Sequence, residues 1–457
     1  MANQNSTFLP FGKKFAYGFG NLGNCFIYIV VSSYILIYCT NVVGLAAGIV
    51  GTLLMVARIL DGITDVFMGS IIDKTRSKAG KARFWYGVSI IPLGICMYLI
   101  FSTPASMSSS GQYTWLFILY VLISAVFYTM NTVAYNTMIA MTTNSQKDQV
   151  TMSSISMLFG MAGAVVVASV TPTVVEMLGG GSRGYQMMAL IYAVIGCVIL
   201  FVPFFALREL PEGEQGEQRT ENSQSTVPAE KVSFLQTLRE LLQNKYFIII
   251  LLLYMIGYMT TGINSTIGVY FATYQLGNAN LLGILSLPST IAMVIGIVFI
   301  PAIIAKAGMW KANVAGAIIM TIGSIVSAVG YKFGLIPLML GFFIKGIGMV
   351  PGSASYSPLM AKTAEYNYLK TGHRITGSIF SCASVGTKIG TGLGTAICGW
   401  LLDAAAFDGT AAVQSAQANT TIVFLYLTLP AILSALTIVL RAAMDVDAKV
   451  EKMQIQA

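Results

Sequence analysis

The chain has 457 residues, of which 56% are hydrophobic and only 10% charged, with a mean hydropathy of +0.75. That balance excludes an ordinary soluble domain, whose composition is about a quarter charged. The net charge of +8 does not mark a nucleic-acid binder, because Lys and Arg sit mainly in short stretches between apolar runs. The runs are long and continuous. Roughly 20 apolar residues cross a bilayer as a helix, and a membrane barrel would show period-two alternation instead.

In chain order the apolar runs predict twelve spanning helices. The first half holds 15–40, 45–72, 84–102, 113–143, 150–178 and 186–207. The second half holds 246–276, 282–305, 312–331, 334–360, 375–402 and 420–441. Several exceed 25 residues, which implies tilt or extension beyond the bilayer. Between the halves, 208–245 is rich in Glu, Gln, Ser and Thr and reads as a linker. Its end, KVSFLQTLRELLQNKYF, has the spacing of an amphipathic helix at a membrane surface. The expected organisation is an all-α membrane protein of two six-helix bundles, 1–207 and 246–457, joined by 208–245. The N- and C-termini, the even-numbered loops and the linker are assigned to the cytoplasm. All but five of the 26 Lys and Arg then lie on that side, the exceptions being Arg183, Lys332, Arg58, Lys345 and Lys388.

Lys13 and Lys14 precede a first apolar stretch too long for a signal-peptide core. The Gly-rich stretches GFGNLG (18–23), GIGMVPG (346–352) and GTKIGTGLG (386–394) predict close helix packing. The six cysteines lie inside apolar runs and read as small core residues with no disulfide framework. There is no phosphate-binding glycine loop, metal spacing or nucleophile motif, so neither an enzyme nor an ATP-driven pump is indicated.

The second span, GTLLMVARILDGITDVFMGSII, carries Asp61 and Asp65. A carboxylate at bilayer depth costs roughly 3 kcal/mol, so it faces the protein interior and has a task. At spacing i, i+4 both acids point the same way, with Arg58 on that face. Such a pair relieves its repulsion by sharing a proton or binding a small cation, and Thr64 adds a hydroxyl ligand. The competing reading is a fixed ion-pair network of Asp61 and Asp65 with Arg58 and Lys388. Lys388, mid-span in SCASVGTKIGTGLG, needs an acidic partner or a route to the interface. In the fourth span, VFYTMNTVAYNTM puts Tyr128, Asn131 and Tyr135 on one face. That stripe is either helix packing or a surface for a sugar ring. His373, the single histidine, reads as a cytoplasmic surface residue.

Three stretches carry a resemblance: YGFGNLGN (17–24), residues 40–85, and EYNYLKTGHRITGS (365–378). They are similar to the glycoside–pentoside–hexuronide:cation symporters, the melibiose permease group of the major facilitator superfamily. GSIIDKTRSK resembles that superfamily's loop after the second span, with Arg76 in place of a glycine. The resemblance implies the major facilitator fold and cation binding by Asp61, Asp65 and Thr64, the last replacing an asparagine. It implies a substrate site drawn from Asn24, Cys25, Tyr128, Asn131, Tyr135, Ser384 and Lys388. Coupling or gating would fall to Arg58, Asp73, Arg76, Arg374 and Lys388. Cys25 and Asn131 stand where the melibiose type has acids, Ser156 where it has an arginine, and Tyr135 where it has a tryptophan. In the cytoplasmic motif, Asn367 and Thr376 replace a glycine and a glutamate. These departures favour a glucuronide-like or xyloside-like substrate over a galactoside, taken up with H⁺ or Na⁺. The expectation is a plasma-membrane, multi-pass symporter that works as a monomer, with no cofactor beyond its coupling ion, which at Asp61 and Asp65 includes a possible Na⁺. A carrier of lysolipid, drug or peptide is the alternative.

Overall fold

The computed structural model describes residues 9–210, 234–373, 376–411 and 413–456, and every regular element among them is helical. In chain order these are α1 (Phe11–Val43), α2 (Ala47–Lys74), α3 (Ala82–Ile100), α4 (Ser109–Thr142), α5 (Gln146–Met177) and α6 (Gly181–Ala206). After the linker come α7 (Phe234–Gln243), α8 (Lys245–Gln275), α9 (Leu281–Ala307), α10 (Met309–Gly330), α11 (Leu335–Thr371) and α12 (Thr376–Ala404). Last are α13 (416–442) and α14 (Val446–Gln456). Among the described residues, eleven helices are long and apolar enough to cross a membrane. The remaining expected span coincides with α12, several of whose side chains lie outside the described residues.

Local chemistry sets the ends. Ser108 accepts from the Gly111 amide at the start of α4, and Ser145 accepts from Asp148 at the start of α5. Gly44 and Gly372 stop α1 and α11 in the left-handed region, at φ 79° and 77°. The largest departure from the sequence reading is α11. Expected to end near 360, it continues as helix through Thr371, despite Pro351 and Pro358. Its 37 residues span roughly 55 Å, well beyond the hydrocarbon core.

The chain divides into two compact units. The first comprises residues 1–219, 265–283 and 395–419, and the second 220–264, 284–394 and 420–457. In the first, the glycines of α1 let it close on α5 and α6: a Cβ on Gly18 would strike Ile155 and Phe159, and one on Gly23 would strike Leu200. Segment 395–404 packs on α2, where Gly51 faces Gly399 and the Trp400 indole donates to Thr52 at 2.9 Å. In the second unit, Gly386, Gly390 and Gly394 meet the backbone or side chains of α8, in the small-xxx-small manner. There α7 places Leu241 in a buried apolar cluster with Tyr246, Phe247, Leu359, Met360 and Val450. The amphipathic helix thus seals a protein core with one face. Residues 231–233 of that predicted segment lie outside the described residues.

Candidate cation and substrate site

The acids sit in the middle of α2, in the first unit. Asp61 is fully buried and Asp65 half-buried. Arg58, one turn earlier, is buried too, with its Nη1 4.0 Å from Asp61 Oδ2. The guanidinium lies 4.9 Å from the Tyr28 ring centroid and 5.8 Å from that of Tyr120. Aromatic faces therefore share in holding the cation. Tyr28 in turn stacks on Tyr128, 3.4 Å apart and within 3° of parallel. Tyr128 lies within electrostatic reach of Arg58, Asp61, Asp65 and Cys25 at once. Two π-helical turns, Cys25–Ile29 and Leu122–Tyr128, deliver Cys25, Tyr28 and Tyr128 to this place. Such local widenings recur at functional sites.

Thr129 completes the acid's surroundings. Its hydroxyl donates to Asp61 Oδ1 at 2.6 Å and also lies 3.0 Å from the Ser124 carbonyl. A hydroxyl has one proton. It can therefore serve only one of these two acceptors at a time. Thr64, the expected oxygen ligand, turns its hydroxyl back to the Asp61 carbonyl at 3.1 Å. Oxygen donors of this kind suit H⁺ or a hard cation such as Na⁺.

The polar stripe of α4 is drawn inward. Asn131 is fully buried: it accepts from Asn24 Nδ2 at 3.1 Å and donates to Ser89 Oγ at 3.0 Å. Tyr135 stacks on Tyr17 at 4.2 Å and 6°, and its hydroxyl reaches the Tyr17 carbonyl at 2.6 Å and Ser156 Oγ at 2.9 Å. Gly20 makes room for that ring, since a Cβ there would overlap it. A cleft of about 480 Å³ opens beside this layer, lined among others by Tyr17, Asn21, Cys25, Asn136, Ser153 and Ser156. Cys25 thus lies on a cavity wall, while Asn24, Asn131 and Tyr135 sit behind it. One flat face of each ring expected to stack on a sugar is covered by a ring of the protein, Tyr28 over Tyr128 and Tyr17 over Tyr135.

Asp73 and Arg76 are exposed at the end of α2 and in the loop after it. Lys388 is half-buried on α12 in the second unit. Arg374 lies outside the described residues, as does the side chain of Ser384. His373 is half-buried, and its Nδ1 is 2.7 Å from Glu240 Oε1 of α7. Five cysteines, Cys25, Cys39, Cys96, Cys197 and Cys398, carry free thiols. Sequence reasoning missed Thr129, Tyr17, Tyr28 and Tyr120. Thr129 sits within the highlighted stretch, but only tertiary packing brings it to α2.

The profile of the family described as MFS/sugar transport protein matches residues 16–448. An isoprimeverose transporter of Lactiplantibacillus pentosus is 28% identical over 92% of this chain and 86% of its own length. A putative glycoside/cation symporter, YagG of Escherichia coli (strain K12), is 27% identical over 97% of this chain and 94% of its own. A glucuronide carrier protein homolog of the same organism is 24% identical over 84% and 82%. Among solved structures, a bacterial homolog of the human lysosomal transporter Spinster superposes with a TM-score of 0.66 at 13% identity, covering 98% of this chain and 97% of that one. The nucleoside transporter NupG gives 0.62 at 14%, covering 94% and 98%. Those two similarities establish the major facilitator fold. The chain is a multi-pass membrane protein of the MFS/sugar transport protein family, in its glycoside–pentoside–hexuronide:cation symporter branch.

Proposed function

We propose that the chain imports a glycoside, pentoside or hexuronide together with H⁺ or Na⁺, by alternating access between two six-helix bundles. The observation that carries the reading is the Asp61 environment. A buried carboxylate on a spanning helix has a hydroxyl at 2.6 Å, a guanidinium held back at 4.0 Å by aromatic faces, and a second acid one turn away. Charging and neutralising that site changes the electrostatics of the neighbouring cleft. A ligand drives alternating access only through its differential affinity for the two states. The relatives named for isoprimeverose and glucuronide support a glucuronide-like or xyloside-like substrate.

In this reading Cys25, Ser156 and Tyr17 face the sugar, Asn24, Asn131 and Tyr135 position them, and Lys388 and Ser384 contribute from the second bundle. Arg58 couples the two ligands. Asp73, Arg76 and Arg374 brace the cytoplasmic side, where both termini lie. At the opposite ends of the helices, Thr40 meets the Tyr270 hydroxyl at 2.8 Å, Asn41 donates to Tyr274 at 2.6 Å, and Thr173 donates to Asn280 at 2.8 Å. These bonds must part for a sugar to enter from outside. The protein works as a monomer in the plasma membrane. The test is uptake of xylosides and glucuronides into proteoliposomes under imposed proton or sodium gradients, wild type against Asp65→Asn. Loss of uphill accumulation with retained exchange is expected. Undiminished uphill accumulation in the variant would reject the coupling role.

A further inference from the structure

Away from the acid-bearing centre of α2, the loop that follows it and the chain leaving α6 enclose a cleft of about 670 Å³. Among the described residues, its wall carries Arg76, Lys78, Lys81, Arg83 and Arg208, with Glu209 as the one acid. Glu209 is already occupied. Its two oxygens accept from the backbone amides of Lys81 at 2.8 Å and Arg83 at 2.7 Å, at the N-terminus of α3. Helix-end amides and dipole partly neutralise its charge. Gly80, at φ 107°, makes the fit possible, because a Cβ there would overlap the carboxylate. Arg83 turns its Nε to the Phe204 carbonyl at 2.7 Å and its guanidinium onto the Phe204 ring. The Leu210 amide reaches the Met141 carbonyl at 2.9 Å and fixes the far wall.

Bonds to backbone groups thus fix the cleft's wall, and among its described lining residues basic side chains outnumber acids. Arg83 and Arg208 repel one another. Among the described residues, the exposed side chains of Arg76, Lys78 and Arg208 make no hydrogen bond or ion pair. Guanidinium and ammonium groups converging on a concave polar wall match the charge and acceptor geometry of phosphate. The cleft lies at the end of two spanning helices, on the face that the positive charges assign to the cytoplasm. Basic pockets between helices on that face suit anionic headgroups.

We propose that this cleft binds a phosphate-bearing anion, a lipid headgroup or a soluble phosphate, through Arg76, Lys78 and Arg208. The bound anion cancels the repulsion on the wall and ties the loop after α2 to the end of α6. The experiment measures thermal midpoints of the purified full chain in neutral detergent. It is titrated with dioctanoyl-phosphatidylglycerol, with dioctanoyl-phosphatidylcholine and with inorganic phosphate. A rise with phosphatidylglycerol alone identifies a lipid headgroup, and an equal rise with phosphate identifies a soluble anion. In either case Lys78→Gln/Arg208→Gln raises the apparent Kd about twentyfold, from two lost surface charges. Lys78→Arg/Arg208→Lys retains the wild-type Kd and controls for folding. Lys306→Gln/Lys311→Gln, at the junction of α9 and α10 in the other half, leaves it unchanged. No midpoint shift with either anion, a shift that survives the glutamine pair, or equal loss in the Lys306/Lys311 control would each overturn the assignment.

Discussion

Two carboxylates in the first unit are equally buried and differently provided for. Asp148, at the start of α5, has no exposed side-chain surface. It takes an ammonium from Lys14 at 2.5 Å and the Leu9 amide at 2.8 Å, while its own amide caps on Ser145. Asp61 is buried to the same degree, yet its guanidinium stays at 4.0 Å, drawn aside by Tyr28 and Tyr120. Burial alone does not distinguish a structural acid from one proposed to exchange an ion. The distinction lies in whether the compensating cation is locked in contact or held back. A locked pair ties the N-terminal segment to α5. In the proposed reading, the looser Arg58–Asp61 pair is the one that admits a visiting ion.

The sharpest way to break this comparison is to remove each charge in turn. Asp61→Asn should lower gradient-driven sugar accumulation about a hundredfold, the upper range of a coupling free energy. Its thermal midpoint should change little. Accumulation within threefold of wild type would make Asp61 a second structural acid. Asp148→Asn should do the reverse. Denaturant unfolding should show a loss of about 2 kcal/mol, since the buried amide face of the site keeps Lys14 without its anion. Folded protein should still couple sugar to the cation gradient, and lost coupling in a stable variant would contradict the assignment.

Thr129 sharpens the contrast further. Thr129→Val should weaken cation-dependent sugar uptake about tenfold, the worth of one hydrogen bond to a charged group. Thr129→Ser should retain it, because the hydroxyl is the working part. Equal behaviour of the two variants would show that the threonine only packs. The smallest effect is expected at Lys362 and Glu365, a surface pair at 2.9 Å with both side chains over a third exposed. Lys362→Gln should shift stability by no more than about 0.5 kcal/mol in chemical denaturation.

The spans were legible because lipid permits few solutions. Residues 45–72 had to be helical through their apolar length, and the helix observed is Ala47–Lys74. The extension of α11 was not legible, because Lys362, Thr363 and Glu365 interrupt the apolar run directly after 360. Its helical state comes from neighbours such as Leu359, Met360 and Ala364, buried with Phe247 and Val450. Asp61, Asp65 and Arg58 stood out as candidates because charge in a spanning helix is expensive and i, i+4 spacing is local arithmetic. Thr129, Tyr17 and Tyr28 carry no charge, so nothing in their own segments separates them from ordinary packing residues.

By itself the sequence determined the membrane class, the positions of the spanning segments and the placement of the acids within one of them, since hydropathy and charge cost are properties of single segments. Only the tertiary structure decided which neutral side chains meet those acids. It also turned Asn131 and Tyr135 inward behind Tyr17 and Cys25, and gathered the basic loop after α2 against Glu209. Those outcomes depend on how helices far apart in the chain rotate and pack against one another, and a rotation of a few tens of degrees exchanges a cavity wall for a core.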